Sequence, residues 1–289
     1  MMNRVPHLDV GSGRQLGALT LFPLWSDAPH ISGVSWSTAA LEAVEVGGGT
    51  VPRLEVRNSG SRPTVLIEGD VLVGGLQHRM AASTQVLPAR SSASVGVLCV
   101  EHGRWGGGDL HRLEGRRAAP SIRHANVGRG EQERQGEVWR RIRRYDTELG
   151  ASRTSSMLDH LDRERQESVR LMPGQRGVVV GIGGRVLGAE LFGSARALAD
   201  RWDGLVRAAR LDAHLAPVAR TTSHDARSFV RALCRTRLEV LEAQESARTV
   251  TAQEGAVRVS GVSRTTKDGT DVPLHLMAFD EGHSLLNYA

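Results

Sequence analysis

The sequence is poor in cysteine, and it lacks both a leader-like start and a long apolar run. Cys99 and Cys234 are the only cysteines among 289 residues, too few for the disulfide framework typical of small secreted proteins. The first six residues contain no apolar stretch of signal-peptide length. No segment approaches the roughly 20 apolar residues of a membrane-spanning helix. We therefore expect a cytoplasmic protein with no membrane partner.

Lysine and aromatic residues are also scarce, and both absences bear on nucleic-acid binding. The chain carries 37 basic and 32 acidic residues, a net charge of +5, but Lys267 is the only lysine and aromatic residues make up 4% of the chain. Arginine combined with abundant alanine, glycine and valine is typical of a genome-wide codon bias, and few aromatic rings are present to stack on bases. We therefore expect no nucleic-acid partner.

The chain does have enough apolar residues for a large core. With 289 residues, 40% of them hydrophobic, it lies near the upper size of one domain, and we predict a single compact α+β domain over residues 1–289. Short apolar runs between turn residues predict strands, and one helix, ended by three glycines, is predicted over 38–46. The strands are predicted at 18–24, 53–57, 63–68, 70–73, 84–87 and 93–101.

The apolar pattern is weak over residues 103–135, and we interpret this stretch as one long loop, either a lid or an unstructured connection. Helices are predicted around 138–149, 194–210 and 225–242, and strands at 255–263 and 271–279. Gly181 and Gly183 are followed by Val186 where a dinucleotide-binding loop needs a third glycine, so a hairpin turning at Gly183 and Gly184 is the better interpretation. Strands and helices do not alternate regularly. This indicates a mixed or mostly antiparallel β-sheet core with segregated helices in the middle and C-terminal part.

Polar side chains are concentrated in two segments that each follow an apolar strand. Residues 66–79 contain an acidic residue, a glycine pair and three polar side chains at their end, and residues 97–105 again bring polar groups to the end of a strand. Strand ends that open onto a loop are common positions for binding residues, and glycine lets a backbone approach a ligand closely. The two segments are therefore the candidate site.

We predict that these segments bind a small anionic or nucleotide-like ligand. Arginine makes bidentate contacts with phosphate, and a tryptophan can cover a base or a ribose. The binding residues are predicted to be Gln77, His78, Arg79, Arg104 and Trp105. Glu68 and Glu101 are the candidates for catalysis as an acid–base pair. The histidines show no metal-ligand spacing, and we expect neither a metal nor a cofactor.

The sequence permits several other interpretations of the same residues. Cys99 with His78 has the chemistry of a nucleophile and its base, although a free cysteine on an apolar strand is more typical of a core position. Glu68 and Glu101 with a divalent ion would make a metal-assisted hydrolase.

In the plainest interpretation, the two glutamates pair with Arg79 and Arg104 and only stabilise the end of a sheet. The chain is then a non-catalytic protein-interaction module. A homo-oligomer is compatible with each interpretation.

The two polar segments resemble those of a bacterial family, the ARG and rhodanese-phosphatase-superfamily-associated protein domain. The resemblance rests on residues 66–79 and 97–105 and extends through 135–139 and 181–192, so it covers most of the chain. Where the family's pattern has asparagine before the arginine, this chain has His78. The resemblance implies a genomic association with ADP-ribosyl-handling and phosphatase-like proteins, and it implies no particular reaction or catalytic residues.

Overall fold

The computed structural model describes residues 4–47, 52–104, 106–127, 130–164, 167–243, 247–266 and 269–287, without the side chains of 131 and 132. In chain order, the elements up to the middle of the chain are β1 (Leu8–Val10), β2 (Arg14–Leu16), β3 (Leu19–Ser26), β4 (Leu41–Glu45), β5 (Arg53–Asn58), β6 (Thr64–Leu66), β7 (Asp70–Gly74), β8 (Arg79–Ala81), β9 (Gln85–Leu87), β10 (Ser91–Cys99), β11 (Leu110–Arg117), α1 (Pro120–His124), α2 (Glu131–Leu149) and α3 (Met157–Arg163). The remaining elements are β12 (Gly177–Ile182), β13 (Arg185–Phe192), α4 (Ala195–Ala199), α5 (Trp202–Ala213), α6 (Ser223–Arg235), β14 (Glu239–Ala243), β15 (Arg248–Glu254), β16 (Val257–Thr265) and β17 (Asp271–Asp280).

One compact unit, the barrel unit, consists of Gly33–Val169 and Asp200–Leu211. Six of its strands close into a barrel in the order β10-β5-β4-β11-β7-β8, with antiparallel neighbours throughout. Strand β5 illustrates the cause, because Leu54 and Val56 point inward and are fully buried while Arg53 and Arg57 are exposed. This two-residue period buries one face of each strand. The apolar barrel core is formed by Leu41, Ala43, Leu54, Val56, Leu66, Leu72, Ala81, Leu87, Val95 and Val97.

The second unit, the sheet unit, consists of Met1–Ser32, Arg170–Ala199 and Asp212–Ala289. Its described residues form an antiparallel sheet in the order β1-β3-β12-β13-β17-β16-β15-β14, with β2 paired to β3. Helix α6 packs its apolar stripe, Phe229, Val230 and Leu233, on one face of this sheet. Thr222 caps that helix by accepting a hydrogen bond from the Asp225 backbone N–H at 3.1 Å. The helix therefore begins where a capping residue precedes an apolar stripe of helical spacing.

The α+β class with mostly antiparallel strands is confirmed, and so is the hairpin that turns at Gly183 and Gly184. The predicted helix at 38–46 is wrong, because residues 41–45 form β4 between β5 and β11. Cross-strand pairing decides the structure here, since Leu41 and Ala43 fill the barrel core while Glu42 and Val44 face outward. Helical propensity is a weak preference, and tertiary pairing overrides it.

The predicted loop over 103–135 is also wrong for most of its length. It contains β11, α1 and the start of α2, and the arginine-rich composition concealed them because these elements carry few apolar residues. The helix predicted over 194–210 is divided into α4 and α5, and the one predicted over 225–242 ends at Arg235, after which β14 begins. Whether the two units unfold as one cooperative domain, as the sequence leads us to expect, stays a prediction.

Among the helices in the described ranges, none combines the length and the apolar character that crossing a membrane requires.

Candidate functional site

The inner face of the barrel changes from apolar to polar at one end. On β4 the inward positions Leu41 and Ala43 are followed by Glu45, and on β10 the inward Val97 is followed by Cys99, because inward positions recur at every second residue. Arg79 at the start of β8 and His111 in β11 join them, as does Gln77 in the connection before β8. The side chains of Arg79, His111 and Glu45 are at most 4% exposed. We call these residues the interior cluster: Glu45, Gln77, Arg79, Cys99 and His111.

Arg79 is fully buried at the centre of this cluster. Its Nη1 donates hydrogen bonds to Gln77 Oε1 at 2.8 Å and to Cys99 Sγ at 2.6 Å. Its Nη2 lies 3.7 Å from Glu45 Oε1, close enough for charge attraction but too far for a hydrogen bond. Within the described part of the chain, neither Nε nor Nη2 has a hydrogen-bond partner. These two nitrogens form the edge of the guanidinium that binds two oxygens of a carboxylate or phosphate at once.

Glu45 is held through one of its two carboxylate oxygens. Oε1 accepts a hydrogen bond from the Leu76 backbone N–H at 3.2 Å and lies 3.0 Å from Nε2 of His111. Burial lowers the pKa of His111, although the hydrogen bond to Glu45 opposes this change. The imidazole is therefore neutral at pH 7, and with a carboxylate as its partner Nε2 carries the proton. Glu45 Oε2 is buried and accepts no hydrogen bond from any described residue.

Cys99 is a buried thiol and not an activated nucleophile. Burial raises its pKa to about 11, against the opposing charge of Arg79 and with a further increase from Glu45. Its Sγ contacts Arg79 and Gln77, whose Oε1 lies 3.2 Å away. The pairing of Cys99 with His78 as nucleophile and base therefore has no support in the geometry.

Glu101 organises a second set of contacts at the rim of the barrel. Its Oε2 accepts hydrogen bonds from the His78 backbone N–H at 3.1 Å and from Arg104 Nε at 2.9 Å, and its Oε1 accepts one from Thr154 Oγ1 at 2.7 Å. Burial alone would raise the pKa of Glu101, but the hydrogen bonds from Thr154 and His78 and the charge of Arg104 lower it. Burial lowers the pKa of the His78 imidazole despite the attraction of Glu101. An ionised glutamate therefore faces a neutral histidine.

Arg104 fastens the turn between β7 and β8, which we call the 74–78 turn. Its Nη1 donates to the carbonyls of Gly75 and Gly106, both at 2.8 Å, and its Nη2 donates to the carbonyl of Gly74 at 3.1 Å. With Nε bound to Glu101, every nitrogen of the guanidinium is used within the chain. Arg104 thus holds the turn closed over the interior cluster and presents no free edge to a ligand.

Gly75 is required by the close packing of this turn on His111. Its φ of +57° is in the left-handed region, and a Cβ at this position would lie 2.0 Å from His111 Nε2. The glycine pair noticed in the sequence therefore serves the approach of the backbone to an interior side chain.

The structure separates the two glutamates that the sequence paired. Glu68 lies where β7 begins, accepts a hydrogen bond from Asn126 Nδ2 at 2.9 Å, and its backbone N–H donates to Thr84 Oγ1. Glu101 lies near the other end of β7, where it binds Arg104, whose Nη2 donates to the Gly74 carbonyl. A strand of five residues places its ends about 13 Å apart. The acid–base pair of Glu68 and Glu101 is therefore not formed.

The metal-assisted hydrolase also lacks a ligand set in the described ranges, because no three His, Cys, Asp or Glu side chains there are grouped so that they could hold a metal ion. Of the predicted binding residues, the structure brings Gln77 and Arg79 into the interior and His78 and Arg104 to the rim. Trp105 lies outside the described residues.

Three residues of the site were not predicted from the sequence. Glu45 and His111 were assigned to a helix and a loop, although the alternation after Leu41 would have placed Glu45 on the buried face had a strand been predicted there. Gln135 on α2 clamps the end of β10, because its Oε1 accepts the Cys99 N–H at 2.8 Å and its Nε2 donates to the Cys99 carbonyl at 3.0 Å. No local signal distinguishes this glutamine from a surface residue.

Fold and site together define an α+β protein in which a six-stranded barrel encloses a polar cluster around a buried arginine. The chain belongs to the family described as the ARG and Rhodanese-Phosphatase-superfamily-associated Protein domain, whose model matches residues 7–279 and confirms the resemblance. No curated protein and no solved structure matches the chain.

Proposed function

We propose that the protein binds a small anionic ligand, nucleotide-like or ADP-ribose-like, whose anionic group is received by Arg79 at the polar end of the barrel. The observation that carries this proposal is the unfilled Nε and Nη2 edge of a fully buried arginine. A buried polar group without a partner costs about 1–3 kcal/mol, and more when it is charged. A ligand oxygen at each nitrogen would remove that cost.

A second buried arginine in the same chain serves as an internal comparison. Arg176 is 1% exposed, and all three of its nitrogens donate to backbone carbonyls, those of Ala28, Pro29, Phe192 and Gly193. Every nitrogen of Arg176 is thus satisfied by the fold, whereas Nε and Nη2 of Arg79 have no hydrogen-bond partner among the described residues. The contrast supports a ligand-binding role for Arg79.

The other residues of the two segments support Arg79 in this proposal. Gln77 fixes its Nη1, while His78, Glu101 and Arg104 shape the turn that closes the interior. Trp105 keeps its proposed role of covering a base or ribose. The family description, which names ARG and the rhodanese-phosphatase superfamily, favours ADP-ribose as the first nucleotide ligand to test.

Thermal unfolding with a matched ligand panel tests the proposal. Inorganic phosphate and ADP-ribose should raise the melting temperature, whereas neutral adenosine should not. Ligand at one hundred times its Kd adds about 2.7 kcal/mol of stability, which corresponds to several degrees for a chain of this size. High salt should reduce the shift because it screens the charges.

Three variants test whether Arg79 causes the ligand-induced rise in melting temperature. Arg79→Met should abolish the shift, and Arg79→Lys, which keeps the charge but not the bidentate edge, should leave a weakened one. Arg57→Met removes an exposed arginine from another barrel strand, β5, and should leave the wild-type shift intact. If no phosphate-bearing ligand shifts the wild type, or if Arg79→Lys and Arg79→Met both respond fully, the proposal fails and the interaction-module interpretation replaces it.

A further inference from the structure

We propose that Glu45 is the second ligand-binding residue of this site, and that its Oε2 accepts a hydrogen bond from a hydroxyl group adjacent to the anionic group. The inference rests on the proposed function, because it assumes that Arg79 receives the anion. It narrows the ligand to an anion that carries a neighbouring hydroxyl, as in a sugar phosphate.

The hydrogen bonds of Glu45 are divided unequally between its two oxygens. Oε1 takes the contacts from Leu76 and His111 and lies on the side of Arg79, whereas Oε2 is buried and accepts no hydrogen bond from the described residues. The carboxylate is therefore fixed in orientation by one oxygen while the other is left for a donor.

Asp70 shows what a carboxylate in the same unit looks like when it serves the fold alone. Its Oδ1 accepts from Arg117 at 2.8 Å, and its Oδ2 accepts from Arg201 at 2.9 Å and from the Ile67 backbone N–H at 2.9 Å. Both of its oxygens are satisfied, as is usual for buried polar groups. Glu45 departs from that pattern at Oε2, while its other oxygen, Oε1, lies 3.7 Å from Nη2 of Arg79.

An unfilled donor edge and an unfilled acceptor thus occur on adjacent side chains, since Arg79 Nη2 and Glu45 Oε1 are 3.7 Å apart. A simple anion would satisfy the arginine and leave Oε2 without a partner. A ligand with a hydroxyl beside its anionic group would satisfy both. Specific sites reject ligands that leave a buried polar group unpaired.

Two ligands of equal size and charge test this inference by titration calorimetry. Propyl phosphate and 2-hydroxyethyl phosphate have the same number of heavy atoms and differ in one terminal methyl or hydroxyl group. Wild type should bind 2-hydroxyethyl phosphate about tenfold more tightly, as expected for a hydrogen bond to a charged group. In Glu45→Met the preference should disappear, while propyl phosphate should bind as tightly as before or more tightly.

Glu45→Gln is the milder variant, in case the methionine variant does not fold. A neutral hydrogen bond is about half as strong as a charge-assisted one, so the preference should fall to about threefold. Glu42→Gln, which changes an exposed glutamate on the same strand, should keep the full preference.

The outcomes separate the two proposals. If both phosphates bind equally well and Arg79→Lys weakens both, the anion site stands and the role of Glu45 is overturned. A preference that survives in both Glu45 variants also overturns it. If neither phosphate binds to wild type, the proposed function falls and this inference falls with it.

Discussion

Arginine supplies nearly all the positive charge of this chain, and its buried copies differ in how they are satisfied. Arg117 and Arg201 share the carboxylate of Asp70, which is itself buried. Burial would raise the pKa of Asp70, but the charges and hydrogen bonds of the two arginines lower it, so this carboxyl is ionised at neutral pH. Removing one member of such a cluster leaves uncompensated charge in the interior.

We therefore predict that Asp70→Asn lowers the free energy of unfolding by about 3–5 kcal/mol. Urea denaturation measures the loss. Asp162→Asn is the matched control, because Asp162 also pairs with an arginine, Arg116, but its side chain is 51% exposed. Asp162→Asn should lower the free energy of unfolding by no more than about 1 kcal/mol. An equally small decrease for Asp70→Asn would contradict the prediction.

Glu137 on α2 provides a second test at the scale of single residues, this time in its dependence on pH. Burial would raise its pKa, but hydrogen bonds from Arg140 and Arg141 lower it from 4.5 to about 2. A carboxyl whose folded-state pKa is lowered stabilises the fold above its unfolded pKa, and this contribution is lost as pH falls toward the folded value. The relevant window is therefore pH 4.5 down to about 2.

We predict that the free energy of unfolding of wild type decreases through this window and that Glu137→Gln decreases less steeply. Urea denaturation at several pH values gives the slope. Glu148→Gln is the control on the same helix, because Glu148 pairs with Arg144 at the surface and its side chain is 38% exposed. Equal slopes for the Glu137 variant and wild type would refute the assignment.

At the scale of elements, we expect the 74–78 turn to control access to the interior cluster, because Gln77 of the turn contacts both Arg79 and Cys99. The sequence predicted one long loop over residues 103–135, either a lid or an unstructured connection, but most of that stretch is regular structure. Arg104, near the start of the stretch, binds the turn. Because Cys99 is fully buried behind this turn, its thiol reports on opening. Because one side chain, Arg104, makes these contacts with the turn, a single substitution can test their role.

We predict that Arg104→Met raises the rate of Cys99 modification by a thiol reagent about tenfold or more, because several hydrogen bonds that hold the turn are lost. The Cys234→Ser background removes the second thiol. Arg57→Met in the same background should leave the rate unchanged. An unaltered rate in Arg104→Met would mean that the turn is held by other contacts.

At the scale of the whole molecule, the chain passes between the two compact units four times, at residues 32/33, 169/170, 199/200 and 211/212. The sheet unit is assembled from three separate segments of the sequence, and helix α5 begins in the barrel unit and ends in the sheet unit. The segments that form the sheet unit are thus joined through the barrel unit. This connectivity favours a single cooperative transition.

We therefore predict one unfolding transition, with equal calorimetric and van't Hoff enthalpies. The two cysteines offer a second measurement, because Cys99 lies in the barrel unit and Cys234 in the sheet unit. The buried Cys99 and the half-buried Cys234 should both reach full reactivity towards a thiol reagent at the same urea concentration. Separate midpoints would show that the chain contains two domains.

The sequence by itself determined the features that depend on neighbours along the chain. The alternation in β10, the hairpin at Gly183 and Gly184, and the closing strands β16 and β17 follow from a local two-residue period and from turn chemistry. The ion pair of Glu101 with Arg104 could also be predicted from the sequence, because the two residues are three positions apart.

Only the tertiary structure decided which polar groups meet. The segment 41–45 is a strand because β5 and β11 pair with it, and this pairing turns Glu45 toward Arg79. The same closure of the barrel brings in His111 and carries Glu68 away from Glu101. Hydrogen bonds between segments that are distant in the sequence fix these positions. The alternation of apolar and polar residues along the chain does not specify which strands pair with each other.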